Sequence, residues 1–305
     1  MLRMIIASLI LSAVLPTRDN AASLPDQNQK VILVTGASTG IGRKITERLA
    51  ADGYFVYAGA RKEVDLQALG EIPNVQAVRL DVTKPQDIDA AVATVTKAGR
   101  GLYGLVNNAG VATVGSLLDT TPEEFDLEMQ VNVYGPYRVT RAFAPLIVAH
   151  RGRIINIGSI SGILNEADAG AYQMTKHALE TYSATLAREL APSGVQVSIV
   201  EPGSYKSDIF KNEVTRSGTG KQYADEWTKL KEPDEVATAV ESALFEPKPK
   251  LRYMVVPTQE QAEITIQAQI EQLVQLNEGQ RHTYDRATLM KMLDAALVGT
   301  RPRSK

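Results

Sequence analysis

From Lys30 onward, short β-branched apolar runs alternate with longer stretches whose apolar residues recur at helical spacing. The runs predict seven strands: Val31–Thr35, Tyr54–Ala58, Val75–Leu80, Leu102–Asn107, Arg153–Gly158, Val195–Val200 and Tyr253–Val256. Several are apolar almost throughout, as strands covered on both faces should be. The intervening stretches predict helices, among them a long one from Pro122 to about Ala149 and another from Ala171 to about Leu190. Strands alternating with helices build a parallel, doubly wound α/β sheet with helices on both sides, three layers in all. No repeat, low-complexity stretch or Gly/Pro/Ser linker divides the pattern. Residues 31–258 therefore read as one domain and 259–305 as a helical extension, with helices at Gln259–Leu276 and Ala287–Leu297.

The first thirty residues break this pattern. An apolar run from Ile5 to Leu15, interrupted by two serines, is followed by Pro16 and a polar stretch to Lys30. A membrane-spanning helix needs roughly 20 apolar residues, so this run fits a targeting or anchor segment better than a span. Small residues at Ala21-Ala22-Ser23 suit a cleavage site, but Asn20 does not. Three readings stand: export after cleavage, loose membrane association through residues 4–15 without cleavage, and a start codon assigned too far upstream. A cytoplasm-facing protein is favoured among them.

Composition narrows the chemistry. With 44% apolar residues and 22% charged, the 305-residue chain can bury a large core, which excludes an extended disordered polymer. Thirty-three basic side chains against thirty-five acidic ones leave a net charge of −2, so nothing draws the chain toward nucleic acid. There is no cysteine, hence no disulfide, thiolate nucleophile or Cys-ligated zinc, and the three histidines lack metal-site spacing. A small-molecule partner and no metal are expected.

The first strand runs directly into Thr35-Gly36-Ala37-Ser38-Thr39-Gly40-Ile41-Gly42, and a helical pattern begins there. Glycines at 36, 40 and 42 permit a tight strand-to-helix turn, close backbone approach to a pyrophosphate, and an open helix N-terminus that favours an anion. With three residues between its first two glycines, the spacing is looser than the Rossmann Gly-x-Gly-x-x-Gly, so the turn reads either as a dinucleotide-binding turn or as an ordinary βα loop. An acidic residue at the end of the second strand would hold the ribose 2′-OH of NAD. Here Ala60 is followed by Arg61 and Lys62, which suit a 2′-phosphate, so NADP is expected over NAD.

Tyr172 and Lys176 stand four residues apart on one helix face, where an ammonium can lie beside a phenol and favour its ionised form. The preceding strand ends at Ser159, a hydroxyl at the carboxyl end of a parallel strand, where open sheets bind ligands. Together with Leu80-Asp81-Val82, Asn107-Asn108-Ala109-Gly110, Asn132 and Pro202-Gly203, these motifs occur in an order that resembles the short-chain dehydrogenase/reductase family from about Val31 to Val256. The helix at Ala178–Leu190 and the run Val197–Gly203 are most similar to its retinol and hydroxysteroid dehydrogenase branch.

The resemblance implies roles position by position. Tyr172 would be the general acid and base, Ser159 would hold the substrate oxygen, and Lys176 would lower the tyrosine pKa and bind the nicotinamide ribose. Asn132 would complete a proton relay. Asp81 and Val82 would line the adenine site, and Asn107 and Gly110 would shape the end of the fourth strand beside the cofactor, with Asn108 and Ala109 in contact with it. Pro202 and Gly203 would flank the nicotinamide, and Ser207, where the family often has Thr, would contact the cofactor through the same hydroxyl. Ser161 also lies near the strand end, but the offset to Tyr172 selects Ser159. Tyr134, Tyr137 and Tyr182 lack a lysine four residues on, and His150 and His177 carry no assigned role. Trp227 falls in a Ser204–Lys231 insertion where the family keeps its substrate lid. The resemblance implies hydride transfer between NADP(H) and a secondary alcohol or carbonyl, in a homodimer or homotetramer assembled through the two long helices. The competing reading is a catalytically weak nucleotide-binding regulatory or scaffold protein of the same fold.

Overall fold

In a computed structural model of the chain, residues 29–209, 211–212 and 229–299 are described. The strands are β1 (Val31–Val34), β2 (Phe55–Ala60), β3 (Val75–Arg79), β4 (Gly104–Asn107), β5 (Arg153–Ile157), β6 (Gln196–Pro202) and β7 (Arg252–Val255). The helices are α1 (Gly40–Ala51), α2 (Glu63–Gly70), α3 (Pro85–Lys97), α4 (Pro122–Glu128), α5 (Tyr134–Ala149), α6 (Gly170–Leu190), α7 (Asp234–Phe245), α8 (Gln259–Asn277) and α9 (Arg286–Leu297).

All seven strands are parallel, in the order β3-β2-β1-β4-β5-β6-β7. Alternate side chains of each strand serve opposite layers. Ile32 and Val34 of β1 pack with Ile45 and Leu49 of α1 and with Val236, Val240 and Leu244 of α7. Val31 and Leu33 pack with Ile88 and Val95 of α3 and with Val139, Phe143 and Ile147 of α5. This double burial explains why β1 is the unbroken apolar run VILV. After β3 the chain crosses back to the far side of β1, and the reversal of strand order between β1 and β4 opens a crevice at their carboxyl ends.

Two expectations are corrected by packing. β2 begins at Phe55 and continues to Ala60, because Gly59 and Ala60 pair with Val78 and Arg79 of β3. Arg61 thereby stands immediately past the strand. The long helix expected from Pro122 to Ala149 is two α-helices joined by a π-helical turn, Met129–Val133. Thr121 starts α4 with a reciprocal capping box to Glu124. The π turn holds Asn132 in place: Asn132 Oδ1 accepts from Val111 N–H (2.9 Å), and its amide donates to Val111 O (2.8 Å) and Thr175 Oγ1 (3.0 Å). One residue too many per turn aims this side chain at the loop after β4, a frequent use of π bulges at functional sites.

Candidate active site

The carboxyl ends of β1, β2, β4, β5 and β6 surround a cleft of about 640 Å³. At one end the wall is main chain. Gly36 (φ +64°) and Gly40 (φ +53°) adopt the left-handed conformation that a turn from β1 into α1 requires. A Cβ at Gly42 would lie 2.2 Å from Gly36 O and 2.3 Å from Asn108 Nδ2. Asn108 ties the turn down, its amide donating to Thr35 O (2.9 Å) and Gly36 O (3.0 Å). Thr35 Oγ1 in turn accepts the N–H groups of Asn108 and Ala109, both at 3.0 Å. No side chain caps α1 at Thr39, which leaves its first N–H groups and the helix dipole available to an anion. Ser38, Thr39, Ile41, Ala109 and Gly110 complete this wall.

Arg61 is exposed at the cleft rim, its main-chain carbonyl accepting from Arg79 Nη1 at 2.7 Å. Lys62, expected beside it, precedes the first turn of α2 and does not line the cleft, because the chain turns away from the strand end there. Asp81 and Val82 form the adjoining wall. Burial works to raise the Asp81 pKa, but hydrogen bonds from Thr83 N–H (3.0 Å) and Oγ1 (2.7 Å), with Arg61 and Lys84 nearby, hold the carboxyl below its ordinary value. These residues fit a dinucleotide: a glycine turn open to phosphate, a guanidinium past β2, and a charged carboxylate one strand over.

At the other end the wall is side chains. Ser159 follows β5 in extended conformation and its hydroxyl accepts Ser161 N–H at 3.1 Å, so Ser161 supports the serine rather than replacing it. The Ser159 hydroxyl is also within hydrogen-bonding reach of the Tyr172 phenol. Lys176 is buried, donates from Nζ to Ile157 O at 2.9 Å, and lies 5.4 Å from the centroid of the Tyr172 ring. Asn132 stands behind this group rather than on the cleft surface, bonded to Val111 and Thr175. Pro202, Gly203 and Ser207 lie across from Tyr172, with the Ser207 Cβ 3.0 Å from where a Cβ at Gly40 would sit.

The electrostatics differ from expectation in one respect. Burial raises the Tyr172 pKa well above that of a free phenol; the Ser159 hydrogen bond opposes this and the Glu128 charge adds to it. Lys176 does not bring the phenol down. Burial instead lowers Lys176 itself to about 8, with Glu180 and Glu128 pulling it back up. The protein alone thus keeps the phenol protonated and the ammonium charged near neutral pH, because desolvation and the Glu128 charge outweigh the Ser159 hydrogen bond at the phenol.

Sequence reasoning missed two groups, Glu128 and Gln261, and the buried partners of a third, Asn107. Glu128, the last residue of α4, is fully buried and takes the Thr113 N–H on Oε1, facing Tyr172 and Lys176 electrostatically. Asn107 donates to Asn156 Oδ1 (2.9 Å) and Thr140 Oγ1 (3.0 Å), and Asn156 to Ser183 Oγ (2.8 Å), a polar chain buried under the site. Gln261, at the start of α8, accepts Ser204 N–H at 3.0 Å, and with Ile264 it walls the cleft, so the extension contributes to the site. No spacing signal marks any of them; Asn107 alone sat in a recognised motif. His150 and His177 bond carbonyls of their own helices, and Tyr134 and Tyr137 are exposed. Trp227 and the apolar run at 4–15 lie outside the described residues.

The short chain dehydrogenase family model matches residues 30–218. The chain is 35% identical to bovine mitochondrial D-beta-hydroxybutyrate dehydrogenase over 198 residues, which cover 62% of this chain and 58% of the bovine enzyme. It is 38% identical to mouse retinol dehydrogenase 5 over 213 residues, covering 68% and 66%. The crystal structure of a metagenomic short-chain oxidoreductase in complex with NADP superposes with a TM-score of 0.63 at 32% identity, over 77% of this chain and all of that one. With its strand order, glycine turn and Tyr-Lys helix already in view, the chain belongs to the short-chain dehydrogenase/reductase family of oxidoreductases.

Proposed function

We propose that this protein is an NADP(H)-dependent oxidoreductase that moves hydride between nicotinamide and a secondary alcohol or carbonyl on an apolar substrate. The observation that carries this reading is the Tyr172 phenol beside the Ser159 hydroxyl and the buried Lys176, at the mouth of a cleft whose far end is a glycine turn. A nicotinamide dinucleotide held in this cleft would supply or accept the hydride. Tyr172, protonated near neutral pH, donates its proton to the carbonyl oxygen in reduction and takes it back in oxidation. Ser159 donates a hydrogen bond to that same oxygen and orients it. Lys176 keeps a positive charge beneath the site, and Asn132 holds the wall formed by Val111. Gly36, Ser38, Thr39, Gly40, Ile41, Gly42, Asp81, Val82, Asn108, Ala109, Gly110, Pro202, Gly203 and Ser207 would hold the dinucleotide, with Arg61 on its 2′-phosphate.

Val114, Ile160, Leu164, Ile209 and Ile264 are among the cleft-lining residues and support an apolar substrate, although Glu166, Asp168 and Glu260 line the same cleft. The intact set of Asn132, Ser159, Tyr172 and Lys176 favours an enzyme over a scaffold. A homodimer or homotetramer is proposed through α5 and α6, where Tyr134, Tyr137 and Met174 are exposed. Among the described residues no helix is long and apolar enough to cross a membrane. We place the enzyme on the cytoplasmic side, where NADP(H) is maintained, with residues 4–15 giving at most loose membrane contact.

The test is to purify the full chain and follow NADPH and NADH absorbance with a panel of aldehydes, ketones, retinoids and steroids. Carbonyl reduction with NADPH preferred is the expected outcome. Absence of turnover with both cofactors across the panel would overturn the reading.

A further inference from the structure

Behind the Tyr172–Lys176 face, two carboxylates meet one arginine where β6 pairs with the edge strand. Arg252 on β7 grips Glu201 of β6 with both Nε (3.2 Å) and Nη2, and Nη2 also reaches Glu180 Oε2 at 3.1 Å. The Glu201 side chain is only 2% exposed and that of Glu180 15%, while Arg252 is 44% exposed, so two buried carboxylates are covered from the solvent side by one guanidinium.

Its placement ties it to three working parts. Glu180 lies four residues beyond Lys176 on α6, and each influences the other electrostatically. The Glu180 carboxyl is tucked under the turn that carries Ser159: a Cβ at Gly158 would come within 3.2 Å of Glu180 Oε1, and one at Gly162 within 3.1 Å. Glu201 directly precedes Pro202, whose carbonyl lies 3.5 Å from Ser159 Oγ. From the reading of Lys176 and Ser159 given above, we infer that Arg252, Glu180 and Glu201 form a positioning cluster that seats the Ser159 turn and sustains the charge of Lys176.

The charge balance gives the cluster a direction. The groups facing Glu180 are Lys176 on its own helix, Glu201 from β6 and Arg252 from β7, while Glu128 from α4 reaches Lys176. Burial first, then the Glu201 charge, raises Glu180 to about 8, and Arg252 and Lys176 oppose this. The Glu180 carboxyl, crowded against Glu201 under one guanidinium, therefore keeps its proton near neutral pH. As pH rises that proton leaves, and the charge appearing on Glu180 supports the Lys176 ammonium where burial would otherwise discharge it. Removing Glu180 as a titrating group therefore lets Lys176 lose its proton at lower pH.

The experiment compares wild type with Glu180→Gln, and Arg252→Met with Arg252→Lys, by two readouts in the full-length protein. In the pH profile of kcat/KM, Glu180→Gln should move the alkaline limb to lower pH by about one unit. Arg252→Met should lower kcat at least tenfold, and Arg252→Lys should recover most of it. In thermal unfolding from pH 5 to 9, wild type should lose stability relative to Glu180→Gln as pH rises, since the raised Glu180 binds a proton in the folded state that the unfolded chain has released. Superimposable alkaline limbs in an active enzyme would overturn the inference and leave the oxidoreductase reading intact. If no substrate turns over, that reading fails instead. The unfolding curves then decide the cluster: a constant offset across the pH range overturns it, and a divergence upholds it.

Discussion

At the β1–α1 end of the cleft, the decisive features are main-chain atoms and the space between them: two left-handed glycines, the Gly36 carbonyl facing Gly42, and uncapped N–H groups at the start of α1. At the β5–α6 end they are side chains: a phenol, a hydroxyl and an ammonium resting on a buried chain of amides and carboxylates. The first end has no room for an added atom. The second depends on each atom present. A cleft built this way should respond to opposite kinds of substitution at its two ends, and three experiments press that difference.

The largest effect is expected from Tyr172→Phe, which deletes one oxygen from the side-chain end. Losing a general acid costs roughly 10²–10⁴ in rate, so kcat should collapse by that order while NADPH affinity stays within about twofold. Steady-state kinetics with a parallel NADPH fluorescence titration checks both halves, and a surviving rate would show that the proton comes from elsewhere. Next comes Gly42→Ala, which adds one carbon to the main-chain end. Its Cβ would meet the Gly36 carbonyl and the Asn108 amide, both fixed by hydrogen bonds. Overpacking of this kind costs about 1–3 kcal/mol, and carried into the nucleotide site it weakens binding by about fivefold to a hundredfold, since about 1.4 kcal/mol is a tenfold change in binding. Calorimetric unfolding and the same titration measure it; undiminished NADPH binding would mean that the turn does not cradle the nucleotide. The smallest change is Ala60→Asp with Arg61→Ile, which exchanges one recognition group at the rim without disturbing the turn. Preference for NADPH over NADH should invert, by about tenfold in the ratio of kcat/KM values if one charge-assisted contact of about 1.5 kcal/mol is at stake. A ratio unmoved by the exchange would show that Arg61 faces solvent.

The asymmetry between the two ends also explains what could be read without coordinates. Glycines 36, 40 and 42 are legible because a left-handed turn and a close backbone approach exclude other residues locally, so the constraint is written at the position that bears it. Tyr172 and Lys176 are legible because helix periodicity alone brings residues four apart onto one face. The alternation of apolar runs and helical stretches was enough to give the three layers, since each strand carries its double burial in its own composition.

Other features depend on partners distant in sequence. The break of the long helix at Met129–Val133 follows from the bonds of Asn132 to Val111 and Thr175, 21 and 43 residues away. Glu128 faces Tyr172 and Lys176 only because α4 packs on α6. The upward pKa of Tyr172 reverses the sequence expectation because desolvation is a property of the packed site and has no local signature. Sequence by itself determined the alternation of strands and helices, the layered sheet they form, and the positions whose constraint is local: the glycine turn, the Tyr-Lys pair and Ser159 at the end of β5. Tertiary structure alone decided which polar groups lie buried beneath them, that Gln261 of the extension walls the cleft, and that Arg252 of the edge strand reaches two carboxylates. Burial and long-range pairing arise from elements that meet only when the sheet is assembled, and no window of the chain contains both partners.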